Sequence, residues 1–155
     1  MEYGGMVRAL EEIHRLLKPA GTLIDIHPMA VSSPIEIHQG GKIELVGDLI
    51  VRQWCTDFQQ ADNALAEIVQ KGLFIVERAE VFDALYYYGS VEDMRTSLKE
   101  DIDRFDRGAE STSDEEEQVD LLAARAEELM QDAVSGAELI AHEPTHISRL
   151  KPISR

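Results

Sequence analysis

The sequence is poor in cysteine, in basic residues and in long apolar segments. Cys55 is its single cysteine, which excludes an intramolecular disulfide and fits a reducing compartment, so we expect a cytoplasmic protein. The longest apolar runs, such as residues 73–76, are far shorter than the roughly 20 residues of a membrane-spanning helix. The N-terminal segment has neither the basic start nor the apolar centre of a secretion signal. We therefore expect neither membrane spans nor a disulfide framework.

The shortage of basic residues gives the chain a strong negative charge. Lys and Arg total 15 against 30 Asp and Glu, for a formal net charge of −15. Binding to nucleic acid or to an anionic membrane surface needs a basic patch, so neither is an expected partner. Part of the acidity lies in a predicted loop at about 107–118, which leads into a helix capped by Ser113 or Asp114. We interpret this segment as a solvated helix start rather than a cation site.

Length and composition predict one folded domain. Of the 155 residues, 44% are hydrophobic, which is enough to form a core. The chain is too short for two domains of ordinary size. We therefore assign residues 1–155 to a single domain of the α/β class with mixed α+β character.

The first half of the chain alternates helical and extended patterns. Residues 6–17 have apolar positions at helical spacing, and Pro19 and Gly21 end this helix. The segment 22–27 is a short, largely apolar strand of the kind that is buried in a parallel sheet. A β-hairpin is predicted at about 34–46, because two alternating segments flank a glycine pair.

The second half continues with longer elements. A helix is predicted from about 49 to 71 and ends at Gly72. A long strand over 73–90 follows, and because both of its faces are partly apolar we expect a bulge or a twisted two-sided position there. Ser90 and Asp93 form a capping box that starts the next helix. A further helix is predicted over 114–134, with one apolar side formed by Leu121, Ala124, Leu129 and Val134. The tail returns as a last strand in which Pro144 marks a bulge or an edge.

One segment resembles a known family. The stretch ALEEIHRLLKPAGTLIDIHP, residues 9–28, is similar to the part of class I S-adenosylmethionine-dependent methyltransferases that crosses from their fourth helix into their fifth strand. The residues that carry the similarity are Leu10, Glu11, His14, Arg15, Leu17, Lys18, Pro19 and Gly21, while Ala20 replaces the first glycine of the family pattern. The resemblance is good over residues 8–28 and architectural over residues 49–153.

The resemblance implies a truncated, Rossmann-like methyltransferase half-domain. It would have a small mixed sheet with an antiparallel terminal strand pair, packed by helices, and the hairpin would be an insertion. The family binds its cofactor through a glycine-rich turn that precedes this region, and the sequence contains no such turn after an apolar strand. We therefore assign no catalytic, cofactor-binding or metal-binding residues. S-adenosylmethionine would bind only if a partner chain completed the fold.

The same resemblance leaves one edge of the first strand without its neighbour. An exposed apolar strand edge is commonly covered by a second copy of the chain, so we expect a homodimer. Its interface would include Met6 and Leu10 of the first helix or Leu23 and Ile24 of the first strand. The alternative is a monomer whose own hairpin covers the edge.

Two functional hypotheses follow from these features. The first is a non-catalytic dimerisation or interaction module. The second is the C-terminal part of a split or truncated methyltransferase that acts on an unknown small molecule, with a partner supplying the N-terminal half. A longer gene with a truncated start is a third possibility.

Few other side chains suggest chemistry. Asp25 and His27 share one strand face and, with Tyr86 and Tyr88, are candidates for the rim of a pocket. His142 and His146 share a face of the last strand, and with Asp25 and His27 they offer ligands that suit zinc or iron. Nothing in the sequence brings the two strand faces together, so we favour ordinary histidines. Cys55 is interpreted as a buried, inert thiol.

Overall fold

The computed structural model describes residues 3–105, 112–131 and 136–153. Within them the fold is mixed α/β, with four helices and an antiparallel sheet of five strands. No helix in these ranges is both long enough and apolar enough to cross a lipid bilayer. In chain order the elements are α1 (Tyr3–Leu16), β1 (Leu23–Pro28), β2 (Ser33–Gln39), β3 (Lys42–Leu49), α2 (Arg52–Gln70), β4 (Phe74–Tyr88), α3 (Val91–Phe105), α4 (Thr112–Met130) and β5 (Glu138–Pro152).

The last strand, β5, pairs with three other strands of the sheet, β1, β2 and β4. Its residues 138–141 pair antiparallel with β2, and its residues 145–150 pair antiparallel with β1. β4 also pairs with β5, and β3 pairs antiparallel with β2. The sequence predicts a mixed sheet, which is wrong for the described residues, where the sheet is antiparallel. β1, the strand expected in a parallel sheet, pairs only with β5 in the described residues, and this pairing is antiparallel.

Several local predictions are confirmed because turn and cap residues act over short distances. Gly40 and Gly41 connect β2 and β3 at φ values of 55° and 83°, and Gly72 ends α2 at a φ of 69°, a region that side chains disfavour. The Ser90 hydroxyl accepts a hydrogen bond from the Asp93 backbone N–H at 3.0 Å, so Ser90 caps α3. The Asp93 carboxylate accepts one from the Gly89 N–H at 3.0 Å.

The chain divides into two compact units, where the sequence analysis assigned one domain. Unit 1 comprises residues 1–30, 54–83 and 144–155. Its core joins α1, α2 and the sheet, because apolar residues at helical spacing face the buried side of the strands. The buried members are Val7, Ala64, Leu65, Ile68, Phe74 and Leu150.

Unit 2 comprises residues 31–53 and 84–143. Here α3 packs against α4, and α4 packs on the β2–β3 hairpin. The largest fully buried side chains of this unit are Ile35, Ile37, Met94, Ile102, Val119, Leu139 and Ile140. The register of the hairpin shifts between Ile35 and Glu36, which marks a β-bulge or a similar irregularity at this point.

The buried face of α4 differs from the predicted one. Val119, Leu122, Ala123 and Ala126 are buried, whereas Leu121 is 66% exposed and Ala124 is exposed. Both faces have helical spacing, because two leucines are adjacent in the sequence. Packing against the hairpin and α3 buries the face that is shifted by one residue, with Leu122 buried in place of Leu121. Val134 lies outside the described residues.

The start of α4 is also less solvated than predicted. α4 begins at Thr112, so the second part of the predicted acidic loop is helical, and residues 106–111 lie outside the described residues. The Glu115 side chain is buried and accepts a hydrogen bond from the Arg52 backbone N–H at 2.8 Å. Gln118 accepts one from the Ile50 N–H at 2.7 Å. These two side chains satisfy backbone donors at the start of α2.

Candidate functional site

A carboxylate–isoleucine–histidine sequence occurs on two strands. It is Asp25–His27 on β1 and Glu36–His38 on β2, and β5 carries His142 and His146. Side chains two residues apart on a strand point to the same face, so each tripeptide presents a carboxylate beside an imidazole. Four of the five histidines in the chain lie in these three strands. They fall into two clusters, one around Asp25 and the other around Glu36.

The Asp25 cluster consists of Asp25, His27, Asp62 and His146, all in unit 1. His27 Nδ1 donates to Asp25 Oδ2 at 2.7 Å, and Nε2 donates to Asp62 Oδ1 at 3.0 Å. His27 and His146 are direct cross-strand partners in the β1–β5 register. Their rings meet edge to face, with centroids 5.5 Å apart. The strand pairing and the packing of α2 therefore place two imidazoles and two carboxylates in one cluster.

His27 is the electrostatic centre of this cluster. Its hydrogen bond to Asp25 raises the pKa of the imidazole above its usual value, and the bond to Asp62 raises it further. Burial acts in the opposite direction, because desolvation disfavours the charged form, but the net shift is upward. The two carboxylates therefore favour the charged form of the ring, and burial opposes it.

His146 is less well satisfied than His27. Its Nδ1 atom is buried and has no hydrogen-bond partner among the described residues. A buried polar atom without a partner costs about 1–3 kcal/mol, so such atoms are uncommon and call for an explanation. In this cluster the orphaned nitrogen belongs to a ring that touches His27.

The Glu36 cluster consists of Glu36, His38 and His142, all in unit 2. Glu36 Oε2 accepts hydrogen bonds from His38 Nε2 at 2.9 Å and from His142 Nε2 at 3.1 Å. The hydrogen bond from His38 lowers the pKa of the Glu36 carboxyl, and His142 adds to this shift. Each imidazole in this cluster already uses a ring nitrogen in a hydrogen bond to the same oxygen.

The expectation that nothing brings the strand faces together is wrong. One ligand atom from each of Asp25, His27 and His146 lies within 4.8 Å of the others, and the same holds for Glu36, His38 and His142. The signal in the sequence was the repeat of the carboxylate–isoleucine–histidine pattern. Asp62 gave no such signal, because it is one acidic residue among many on an amphipathic helix.

The predicted pocket residues fall into two pairs. Asp25 and His27 belong to unit 1, whereas Tyr86 and Tyr88 belong to unit 2. The Tyr86 hydroxyl donates to Glu143 Oε1 at 2.9 Å. Burial, followed by the charge of Asp101, raises the pKa of Tyr88 to about 12. Tyr86 thus makes a polar contact with Glu143, while the Asp25–His27 pair is part of the Asp25 cluster.

The residues predicted for a dimer interface differ in their exposure. Met6, Leu10 and Leu23 are partly buried against the core of unit 1. Ile24 is 51% exposed, and Ile26, two residues further on the same face of β1, is 58% exposed. The apolar surface that β1 leaves to solvent therefore lies on the face opposite to Asp25 and His27.

The most exposed apolar segment of the described residues is β4. Ile75 and Val76 are both exposed, and Val81 and Phe82 are 57% and 43% exposed. Because adjacent residues of a strand point to opposite faces, these pairs show that both faces of β4 are accessible. Leu85, Tyr86 and Tyr87 continue the exposed segment. β4 pairs with β5, and within the described ranges it has no second strand neighbour.

Comparisons with known proteins give no relative. No family model, no curated protein and no solved structure matches the chain. The function has to be argued from the chain's own residues.

Proposed function

We propose that this chain is a non-catalytic, methyltransferase-like module that associates with a second copy of itself through β4. The observation that carries the proposal is the exposure of β4 on both faces, together with its single pairing to β5. A long strand that exposes apolar side chains, and that has no second strand neighbour among the described residues, is a template for pairing with another strand. The proposal places the module in the cytoplasm, since a single cysteine fits a reducing compartment.

The methyltransferase-like part of the proposal rests on β1 and its neighbour. In the family that residues 9–28 resemble, the fifth strand borders the last strand, and the last two strands pair antiparallel. β1 follows the resembling segment and pairs antiparallel with β5, the last strand of this chain. β4, the preceding strand, also pairs with β5. This arrangement supports the resemblance in strand order.

A second copy is the partner that β4 suits best. An antiparallel pairing of β4 with β4 of another chain is two-fold symmetric, so the same residues contribute from both sides. It would satisfy the backbone groups of both edges and cover apolar side chains such as Val81 and Phe82 at once. The net charge of −15 on each chain opposes association, so the apolar burial has to exceed this repulsion.

Light scattering coupled to size-exclusion chromatography tests the proposal. We expect the wild-type chain to elute with the mass of a dimer. Val81→Lys and Phe82→Lys, which place a charge on opposite faces of β4, should each give a monomer. Leu121→Lys is the matched control, because it replaces another exposed apolar side chain, Leu121 on α4. A monomeric wild-type chain, or β4 variants that remain dimeric, would contradict the proposal.

The split methyltransferase remains the second candidate, and a specific observation favours it. β1 pairs in the described residues with β5 alone, and in the family its other edge is taken by the fourth strand. A chain carrying the glycine-rich turn would therefore add at β1 and not at β4. Both candidates predict no heat when S-adenosylmethionine is titrated into the purified chain alone, because neither has the cofactor-binding half, so a measurable heat would contradict both. A neighbouring reading frame encoding a glycine-rich strand–turn–helix would favour the split enzyme.

A further inference from the structure

We propose that Asp25, His27 and His146 form a binding site for a divalent transition metal of the zinc type, with Asp62 as the residue that positions the His27 ring. The inference does not depend on the proposed self-association, because none of the four residues lies on β4. It rests on the donor set, on the spacing of the ligand atoms and on an unpaired buried nitrogen.

The donor set suits borderline metals. Two imidazoles and one carboxylate are the protein ligands of many zinc sites with an open position, and they also suit iron and related ions. Hard cations such as Mg²⁺ and Ca²⁺ prefer sites made entirely of oxygen ligands. Three protein ligands leave at least one coordination position for water or another small molecule.

The spacing requires little movement. A tetrahedral metal at roughly 2.0–2.1 Å from each ligand places the ligand atoms about 3.3 Å apart. One atom from each of the three residues already lies within 4.8 Å of the others. Asp25 Oδ2 and His27 Nδ1 are 2.7 Å apart, so they would separate by roughly half an ångström around the ion. Both residues are on β1, and the strand register fixes His146 opposite His27.

Asp62 has the geometry of a supporting residue. Metal-binding histidines commonly donate their second ring N–H to a carboxylate, which fixes the tautomer and the ring orientation. His27 Nε2 donates to Asp62 Oδ1 at 3.0 Å, which leaves Nδ1 on the side of Asp25. α2 holds Asp62 in place, since Ala64, Leu65 and Ile68 of the same helix are buried in the core.

His146 favours the Asp25 cluster over the Glu36 cluster as the metal site. Its buried Nδ1 has no hydrogen-bond partner in the described residues, and a metal ion would supply one. In the Glu36 cluster both imidazoles already donate to Glu36 Oε2. The His27 side chain is also less exposed than either imidazole of the Glu36 cluster, at 10% against 31% for His38 and 18% for His142.

Cobalt titration of the full chain provides the first test. Co²⁺ occupies zinc-type sites and absorbs visible light when histidine and carboxylate ligands surround it. We expect one equivalent to bind to the wild-type chain, and His146→Asn to abolish the visible band. Asp62→Asn should weaken binding by about 10- to 100-fold, the usual effect of removing a supporting carboxylate. His38→Asn and His14→Asn, matched histidine variants outside the cluster, should bind as the wild type does.

NMR of the histidine ring signals in the wild-type chain gives a second test, which does not depend on whether any variant folds. Adding Zn²⁺ should shift the ring signals of His27 and His146 and leave those of His14, His38 and His142 in place. Shifts at His38 and His142 instead, equal binding by the wild type and His146→Asn, or no stoichiometric binding would each overturn the assignment. Titration with Mg²⁺ shows whether any response reflects only the acidic surface of the chain.

Discussion

Gly47 of β3 and Leu122 of α4 lie so close together that a Cβ atom at position 47 would come within 2.6 Å of Leu122 Cδ2. Both residues belong to unit 2, where α4 packs on the hairpin. Gly47 pairs with Ile35 at the point where the β2–β3 register shifts. A side chain at this position would therefore require the Leu122 side chain to move.

We expect Gly47→Ala to destabilise the chain by about 1 kcal/mol, the low end of the cost of overpacking, because the added methyl group displaces only the end of the Leu122 side chain. Urea unfolding would measure the loss. Gly89→Ala is the control, since the nearest atom to its Cβ is Asp93 Oδ2 at 3.8 Å. In the Gly47→Ala, Leu122→Ala double variant the two losses should be less than additive. Full additivity would show that the contact is not responsible.

Glu115→Ala should destabilise the chain by about 1–3 kcal/mol. The buried Glu115 carboxylate is the acceptor for the Arg52 N–H at 2.8 Å, and its removal leaves a donor at the start of α2 with one partner fewer. Thermal unfolding of the variant would measure this change. Glu117→Ala, in the same turn of α4 but exposed, should leave the stability nearly unchanged. Equal losses in both variants would mean that helix-end charge matters and the hydrogen bond does not.

The stability that Glu36 contributes should depend on pH. The pKa of this carboxyl is lowered in the folded chain, chiefly by the hydrogen bond from His38. Its contribution is therefore fully present above the unfolded value of 4.5 and is lost as the pH falls through the lower folded value. Melting temperatures of the wild type and Glu36→Gln should differ at neutral pH and converge in acid. Glu44→Gln, at an exposed position of β3, should track the wild type throughout.

Self-association should strengthen with salt. Each chain carries a net charge of −15, so two copies repel each other at low ionic strength. Raising the salt from about 0.05 M to about 0.5 M shortens the screening length severalfold and reduces this repulsion, while apolar burial persists. Sedimentation velocity at the two salt concentrations would show a larger dimer fraction at the higher one. A dimer that dissociates as salt is added would instead indicate an interface held by ion pairs.

Prediction from the sequence was most successful where the determinants are local. The helix over residues 6–17, the hairpin at 34–46 and the cap at Ser90 each depend on residues within a few positions of one another. The same reasoning failed on α4, because Leu121 and Leu122 both fit an apolar helical face. Local spacing could not choose between them, whereas packing against the hairpin did.

The sequence by itself determined where the helices, strands and tight turns lie, because periodicity, glycine at positive φ and capping side chains act within a few residues. Tertiary structure alone decided the sheet order and the chemistry. β5 pairs with β1 and β2 across more than one hundred residues of chain, and that pairing sets His27 opposite His146 and Glu36 beside His142. Such contacts follow from the register between distant strands, which depends on burial over the whole sheet and cannot be deduced from either segment alone.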